Sequence, residues 1–376
     1  MTGPLAVADV LALLAELAPP TLAESWDHVG LQVGAADASV ARVLVALEVT
    51  DRVLARVRQG AGALVVSHHP LLFHPLESVR SDRPTGRAVA ALVRARASLV
   101  ACHTNWDKAP GGSDDALASA LGLLGAEPLV PSLRARYRLS AIVPEENLDD
   151  VREAMAVAGA GLSERYRRAS FSVHGESTFE PLPGARPAYG AVGGLTVRAE
   201  HRLEMVVSEE RLAAVERALL AAHPYEEPAW AIDRLDGGVP LGGLGRIGDW
   251  SGPVTVPALA RAARRALGAR VVRVCGRRRG TVRRVASVAG AGRALLARAA
   301  EAGADALVTA DIDHHDARLA EELGIAVVDV GHRESEEPGV RALAASLEGR
   351  LTALGHSVPV TFVPVEETYG FETGRG

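Results

Sequence analysis

The sequence predicts an α/β protein in two halves, interrupted by an α+β insert of the ferredoxin-like kind. Short runs of β-branched residues alternate with alanine-rich helical stretches in residues 1–130 and again in residues 236–376. This alternation is typical of a largely parallel sheet covered by helices. Between the halves, residues 138–151 align without gaps on residues 202–215. Such a repeat indicates a separate module, which we assign to residues 131–235.

The strands and helices of the two halves can be placed individually. In the first half we predict strands at residues 41–49, 63–67 and 98–104, and helices at residues 7–18, 52–59, 85–97 and 114–123. In the second half we predict strands at residues 282–288, 304–309 and 325–330, and helices at residues 293–302, 315–323 and 338–351. The sheets should therefore be largely parallel.

Each copy of the repeat in the insert is a strand, a turn with acidic residues at a helix start, and an amphipathic helix. With further strands expected near Thr178 and in residues 227–235, two strand–helix–strand units result, which is the ferredoxin-like pattern. Residues 180–191 are rich in proline and glycine and predict a surface loop. The motif His223-Pro-Tyr-Glu-Glu-Pro ends the second repeat helix. Its histidine and carboxylates either shape a turn or face an inner cavity.

Composition restricts the partners and the compartment. With 41 basic and 46 acidic residues the net charge is −5, so no global positive field exists to hold a nucleic acid or an anionic membrane. The arginine cluster at residues 277–279 lacks interleaved aromatic residues, so we expect no nucleic-acid partner. Two cysteines are too few for a disulfide framework, and no apolar run is long enough for a membrane helix. We therefore expect a cytoplasmic protein without a membrane partner.

The most informative local signal is a pair of histidines after the second predicted strand. This apolar strand at residues 63–67 runs directly into His68, His69 and Pro70. Both imidazoles are expected at the carboxyl edge of the sheet, where α/β folds bind ligands. Neutral imidazole is the most common transition-metal ligand, and adjacent histidines point in different directions, which suits two ions better than one. The alternative is a pair of surface histidines in a turn.

Two further strand ends carry similar residues. Asp107 lies just past the third strand of the first half, although an aspartate there also serves as a helix cap or turn residue. His332 follows the last strand of the second half, and Glu336 lies four residues later, so the two share one helix face. A solvated acidic helix start is the alternative for this segment, and we accept it for Glu337. Cys102 and His103 are neighbours on a strand and face opposite sides of the sheet, so we expect no nucleophilic cysteine.

Together, five residues from three strand ends form a mixed nitrogen and oxygen donor set: His68, His69, Asp107, His332 and Glu336. Such a set can hold two divalent ions roughly 3.5–4 Å apart with a bridging carboxylate. Zinc, iron, manganese or cobalt would suit these donors, whereas calcium prefers oxygen ligands. We therefore predict two divalent transition-metal ions per chain.

Five motifs carry a resemblance to a known family. They are Glu24-Ser-Trp-Asp-His-Val-Gly-Leu-Gln-Val-Gly, Ser67-His-His-Pro-Leu-Leu-Phe, His103-Thr-Asn-Trp-Asp, Thr309-Ala-Asp-Ile-Asp-His-His-Asp-Ala and Gly331-His-Arg-Glu-Ser-Glu. In order and spacing they resemble the GTP cyclohydrolase 1 type 2 homologues, also called Nif-three-like dinuclear metal centre proteins. The resemblance implies a Nif-three-like fold, a two-metal site on the same five ligands, a toroidal homohexamer built as a trimer of dimers, and an insert of the PII type. Ala310 and His314 depart from the family pattern and bear only on substrate contacts.

The fourth motif also contains a candidate catalytic residue. His315 follows the strand at residues 304–309 and could move a proton near the metals, or it could cap the next helix or support a ligand. Two ions would activate water for attack, and the family name implies a purine nucleotide ring as its target. We therefore expect a metal-dependent hydrolase acting on a nucleotide-like small molecule. The alternatives are a dinuclear phosphoesterase with the same ligands and a non-enzymatic hexameric metal-binding or regulatory protein.

Overall fold

The computed structural model describes residues 4–163 and 165–365. The chain divides into two compact units, one of residues 133–240 and one of the residues up to Ser132 together with those from Leu241 onward. That residues 131–235 fold independently stays a prediction. Among the helices in the described parts of the chain, none combines the length and the apolar composition needed to cross a bilayer.

The first part of the larger unit alternates strands and helices as predicted. Its elements are α1 Val7–Leu17, β1 Gly30–Val33, β2 Arg42–Ala46, α2 Asp51–Val57, β3 Ala63–Ser67, α3 Pro84–Arg94, β4 Ser98–Ala101, α4 Thr104–Lys108, α5 Ser113–Leu121 and β5 Leu124–Pro144. The prediction for β3 is confirmed to the residue. All five of its residues are buried, as expected for an apolar strand in the middle of a sheet. The strand predicted at residues 41–49 ends early, at Ala46, and this frees Glu48 to leave the sheet.

The smaller unit contains the repeat, and each copy forms a strand and a helix. Part of β5 is followed by α6 Leu148–Val157, β6 Phe171–Phe179, β7 Thr196–Ser208, α7 Glu209–Ala222 and the first part of β8 Trp230–Thr255. β7 pairs antiparallel with both β5 and β6, and β5 also neighbours β8. Alternate residues of β5 and β7 pack against both helices in a core of the unit's own: Leu139, Ala141, Val143, Leu203, Met205 and Val207 with Val151, Met155, Val215 and Leu219.

The chain then completes the larger unit. Its remaining elements are α8 Val256–Leu267, β9 Arg273–Gly276, β10 Thr281–Ser287, α9 Leu296–Glu301, β11 Ala306–Thr309, α10 His314–Leu323, β12 Ala326–Asp329, α11 His332–Ala353 and β13 Val360–Val363. The helix start predicted at residue 338 is wrong. α11 begins six residues earlier, at His332, and carries Pro338 within it.

The larger unit holds two sheets whose central strands are parallel. One has the order β1-β4-β3-β2-β13, and the other contains β8-β10-β11-β12-β9. β3 is parallel to both β2 and β4, and β12 is parallel to β11. The carboxyl ends of β3 and β4 therefore lie at one edge of their sheet, and the carboxyl end of β12 leads directly into α11. These are the three strand ends that carry the predicted ligands.

Candidate metal centre

Two histidines continue the line of β3 and turn their rings in different directions. The His68 N–H donates to Ala46 O and the His69 N–H donates to Leu47 O, each at 2.9 Å, so the backbone stays extended past the strand end. The His68 ring is buried, and its Nδ1–H donates to Cys102 O at 3.0 Å. This bond fixes the tautomer and leaves Nε2 as a bare acceptor. His69 places Nδ1 3.4 Å from Glu48 Oε1, so its Nε2 is likewise directed away from that carboxylate.

Asp107 reaches the same place from the short helix after β4. Its Oδ1 lies 3.4 Å from His68 Nε2. The neighbouring Trp106 is 1% exposed, and its Nε1–H donates to the Gly339 carbonyl of α11 at 2.9 Å. This bond connects α4 to α11, the two helices that carry Asp107 and Glu336.

Glu336 lies at the centre of the cluster. His332 and Glu336 are four residues apart on α11, and Glu336 Oε1 is 3.1 Å from His332 Nε2 and 3.7 Å from His68 Nε2. The other oxygen, Oε2, lies 3.1 Å from His69 Nε2. The imidazoles of His69 and His332 also approach one another, with 3.4 Å between their Nε2 atoms. The structure thus brings all five predicted residues together, and their coordination of ions stays a prediction.

The donors of this cluster suit a transition metal. His68 Nε2 and Asp107 Oδ1 are fully buried and have no hydrogen-bond partner among the residues that the structure describes. A buried polar atom without a partner costs about 1–3 kcal/mol, so two of them side by side call for an explanation. A divalent ion supplies one, because imidazole nitrogen and carboxylate oxygen are the donors that zinc, iron, manganese and cobalt accept.

The protonation states of the cluster follow from the central carboxylate. Burial by itself would raise the pKa of Glu336, but hydrogen bonds from His332 and His69 hold it well below its usual range. Burial would lower the pKa of His69, yet its bonds to Glu336 and Glu48 outweigh this and raise it to about 10. In the same way Glu336 and Asp311 raise the pKa of His332 to about 9 against the effect of burial. Without an ion, these histidines carry protons at neutral pH.

Sequence reasoning missed a sixth residue, His103. One donor atom from each of His68, His69 and His103 lies within 4.8 Å of the others. His103 Nδ1 lies 2.9 Å from Asp27 Oδ1, and Asp27 Oδ2 accepts from the backbone N–H of Thr104 at 3.0 Å. Burial raises the pKa of Asp27, but the hydrogen bonds from His103 and Thr104 outweigh this and lower it below the usual range. His103 stands in one of the quoted motifs, four residues before Asp107, so its position was visible in the sequence.

The predicted catalytic residue lies elsewhere. His315 is exposed in the first turn of α10, where its ring contacts that of His314 with 5.6 Å between centroids. Asp311, from the turn before α10, bonds to the cluster instead, with its Oδ2 2.6 Å from His332 Nδ1. A catalytic role for His315 stays a prediction. Burial raises the pKa of the Cys102 thiol to about 12, which agrees with the expectation that this cysteine is not a nucleophile.

Comparison with known proteins gives the family. The sequence profile of the Duf34/NIF3 (NGG1p interacting factor 3) family matches residues 5–368. The chain belongs to this family. It is similar to the GTP cyclohydrolase 1 type 2 homolog of Mycobacterium tuberculosis, with 41% identity over 98% of both chains. It is also similar to the GTP cyclohydrolase 1 type 2 homolog of Halalkalibacterium halodurans, with 35% identity over 86% of this chain and 87% of that one.

Solved structures agree with this membership. A Bacillus cereus protein related to NIF3 is 31% identical with a TM-score of 0.78, over 99% of this chain and all of that chain. The Staphylococcus aureus protein SA1388 is 25% identical with a TM-score of 0.83, again over 99% of this chain and all of that chain. The predicted family is therefore confirmed, and the α/β architecture with two sheets is shared with NIF3-related structures.

Proposed function

We propose that this NIF3-family chain holds two divalent transition-metal ions and uses them to hydrolyse a nucleotide-like small molecule. The observation that carries the proposal is the central position of Glu336, whose carboxylate lies 3.1 Å from both His69 and His332 and 3.7 Å from His68. One ion would be held by His68 Nε2, Asp107 Oδ1 and one Glu336 oxygen. The other would be held by His69, His332 and the Glu336 carboxylate, whose donor atoms lie within 4.8 Å of one another. Zinc, iron, manganese or cobalt would suit both sets.

Contacts outside the five ligands support their geometry. A metal-binding histidine usually donates its second ring nitrogen to a carbonyl or carboxylate, which fixes the ring. His68 has the carbonyl of Cys102 in this position, His69 has Glu48, and His332 has Asp311. Each of the three imidazoles therefore presents Nε2 to the cluster in a fixed orientation.

His103 is the residue best placed to move a proton. When bound, the ions would polarise a substrate oxygen and lower the pKa of water towards neutrality. His103 lies beside the cluster without belonging to the five-ligand set, and Asp27 accepts a hydrogen bond from its Nδ1. This bond orients the ring so that Nε2 can take a proton from water and return it to a leaving group. His315 is a second candidate for this role, but its ring lies on the exposed side of α10.

Exposed aromatic side chains beside the cluster support a planar substrate. Trp26 is 54% exposed and Phe73 is 37% exposed, and their ring centroids are 5.9 Å apart. The Trp26 ring lies 6.1 Å from the His103 ring. A base that stacked on Trp26 would place its ring or its phosphates close to the metal ligands. Several relatives carry the name GTP cyclohydrolase 1 type 2 homolog, which favours a purine nucleotide.

Metal analysis tests the ligand assignment. Native protein should carry up to two ions per chain, and Asp107→Asn should remove about one of them, because only the set that contains His68 loses an oxygen. Glu336→Gln should weaken both sites. Glu337→Gln is the matched control, since Glu337 pairs with Arg341 on the exposed side of α11. Unchanged stoichiometry in both ligand variants would overturn the assignment.

A substrate panel separates the candidate activities. Metal-reconstituted protein would be incubated with purine nucleotides and with phosphoesters, and the products identified by mass spectrometry. Opening of a purine ring supports a cyclohydrolase, whereas release of phosphate or alcohol alone supports a dinuclear phosphoesterase. Turnover that disappears in His103→Gln with metal content intact would support the proton-transfer role. The absence of turnover on the whole panel would favour a non-enzymatic metal-binding or regulatory protein.

The insert and the assembly are part of the proposal. The order β5-α6-β6-β7-α7-β8, with β5 between β7 and β8, supports a ferredoxin-like insert related to PII-type domains. The homohexamer built as a trimer of dimers rests on the family resemblance, and light scattering of the purified chain tests it. We propose a cytoplasmic location on the composition argument.

A further inference from the structure

The smaller unit contains a cavity of about 640 Å³ that lies on the face of its sheet opposite α6 and α7. Its floor includes Ser177, Glu200 and Ile142 from β6, β7 and β5. Strand alternation puts these residues on the other side of the sheet from the core residues Ala141 and Leu203. One wall is the proline- and glycine-rich loop at residues 180–191, and the other is the segment at residues 225–229. This volume is typical of small-molecule sites.

The turn after α7 positions the segment at residues 225–229, which forms one wall of this cavity. The His223 Nε2–H donates to Ile142 O at 2.8 Å, and Nδ1 accepts from the Tyr225 N–H at 3.1 Å. Both ring nitrogens are thus used within the turn, and burial lowers the pKa of His223, so the ring stays neutral. Of the two roles that the sequence left open for this motif, the histidine has the structural one, while Glu226 and Glu227 line the cavity.

Aromatic rings form a continuous group along the cavity. The ring centroid of Tyr225 lies 5.8 Å from that of Phe179 and 6.0 Å from that of Tyr189, with interplanar angles of 60° and 72°. Tilted rings at this spacing expose their electron-rich faces, which attract cations. The Tyr189 ring already contacts a cation in this way. The Arg198 guanidinium stacks on it, with Cζ 3.6 Å from the ring centroid.

Acidic side chains complete the lining. Glu180, Glu200, Glu226 and Glu227 all line the cavity, and none of the described lining residues is a lysine or arginine. Glu200 is 3% exposed and accepts a hydrogen bond from the Tyr225 hydroxyl, so a buried carboxylate lies at the hydroxyl end of this aromatic side chain. The Arg198 charge nearby is paired with Glu146, 2.5 Å away. The cavity therefore combines apolar walls with an excess of negative charge.

We propose that this cavity is a binding site for a small organic cation, an amine or quaternary ammonium compound with an apolar body. The ammonium group would be held by the Glu200 carboxylate and by the faces of the aromatic rings, and the apolar body would contact the loop at residues 180–191. An anion would meet the four carboxylates, and a neutral compound would leave the charge of Glu200 uncompensated. The site lies wholly within the smaller unit and does not depend on metal binding.

Calorimetry and saturation-transfer NMR on the full-length chain test this site with matched probes. Choline is compared with its neutral carbon isostere, dimethylbutanol, and phenethylammonium is compared with phenylacetate. We expect each cation to bind at least about tenfold more tightly than its partner, because the partner lacks the positive charge that the carboxylates and the ring faces attract. Equal binding within a pair, tighter binding of phenylacetate, or no saturable binding of either cation up to about 10 mM would overturn the proposal.

Variants then place the binding in this cavity. Glu200→Gln keeps an acceptor for the Tyr225 hydroxyl but removes the charge, and should weaken choline binding about tenfold or more. Because Glu200 is buried, Glu227→Gln on the exposed wall serves as a second variant that leaves the core untouched, and a several-fold loss is expected. Glu176→Gln is the matched control, since Glu176 is exposed on β6 next to Ser177 and outside the lining. Full choline affinity in both cavity variants, or an equal loss in the control, would refute the site.

Discussion

Metal binding by the cluster should depend steeply on pH. In the metal-free protein the pKa of His69 is raised to about 10 and that of His332 to about 9, so both rings are protonated at pH 7. A metal binds only neutral imidazole, so an ion held by these two residues displaces two protons. By mass action, the apparent association constant should rise up to about a hundredfold per pH unit while both rings are protonated. The increase should slow above pH 9 and end above pH 10.

The assay is a competition titration of zinc against a chromophoric chelator between pH 6.5 and 9, with each chelator constant measured at the same pH. Calorimetry in two buffers of different ionisation enthalpy counts the protons released. Glu48→Gln is the informative variant, because Glu48 raises the pKa of His69 without belonging to the proposed ligands. Loss of the Glu48 carboxylate should lower the pKa of His69, so the increase in zinc affinity should be less steep at the upper end of this pH range. A constant affinity across the range, or binding without proton release, would refute the reasoning.

Further expectations concern stability, packing and catalysis. The histidines of the metal-free protein should stabilise it fully below pH 6.5 and lose this contribution as pH rises through about 9 and 10, so its Tm should fall across that range in chelator. Gly290→Ala should reduce metal content, because a Cβ there would lie 2.4 Å from Glu336 Oε1; Gly280→Ala, also at positive φ but with only Arg277 at 4.0 Å, should not. Trp106→Phe loses the bond to Gly339 and should cost about 1–3 kcal/mol in denaturant unfolding; the exposed Trp26→Phe should cost far less. If His315 moves protons, His315→Ala should lower turnover about a hundredfold with both ions retained; full activity would assign it a structural role.

Strand ends could be predicted from the sequence because they depend on local pattern. The run of apolar residues before His68 and the one before His332 each indicate a buried strand, and parallel strands bring their carboxyl ends to one edge. The five residues chosen in this way do lie together. The internal repeat of residues 138–151 in residues 202–215 also predicted the two helices of the smaller unit, which begin at Leu148 and Glu209.

The residues that contact the predicted ligands and His103 could not be identified from local sequence pattern, because these contacts depend on how distant segments of the chain pack. Glu48 reaches His69 only because β2 ends at Ala46, earlier than its β-branched pattern suggested. Asp27 meets His103 across 76 residues of sequence. Asp311 rather than His315 reaches His332 because the turn between β11 and α10 places Asp311 at a left-handed backbone angle, φ +57°, which sequence periodicity does not reveal.

The same charges should stabilise the cluster in the metal-free protein. An isolated carboxylate as deeply buried as Glu336 would be strongly disfavoured, and it would take up a proton. Protonated His69 and His332 prevent this, because they place positive charge 3.1 Å from each of its oxygens. Asp107 and Glu336 also raise the pKa of His68 against the effect of burial, but His68 Nε2 and Asp107 Oδ1 lack hydrogen-bond partners among the described residues. An ion held by His69 and His332 should therefore displace their protons, and an ion held by His68 and Asp107 should in addition supply the partner that their facing atoms lack. The half with His68 and Asp107 should consequently give the larger increase in Tm on metal addition, and Asp107→Asn should remove most of that increase.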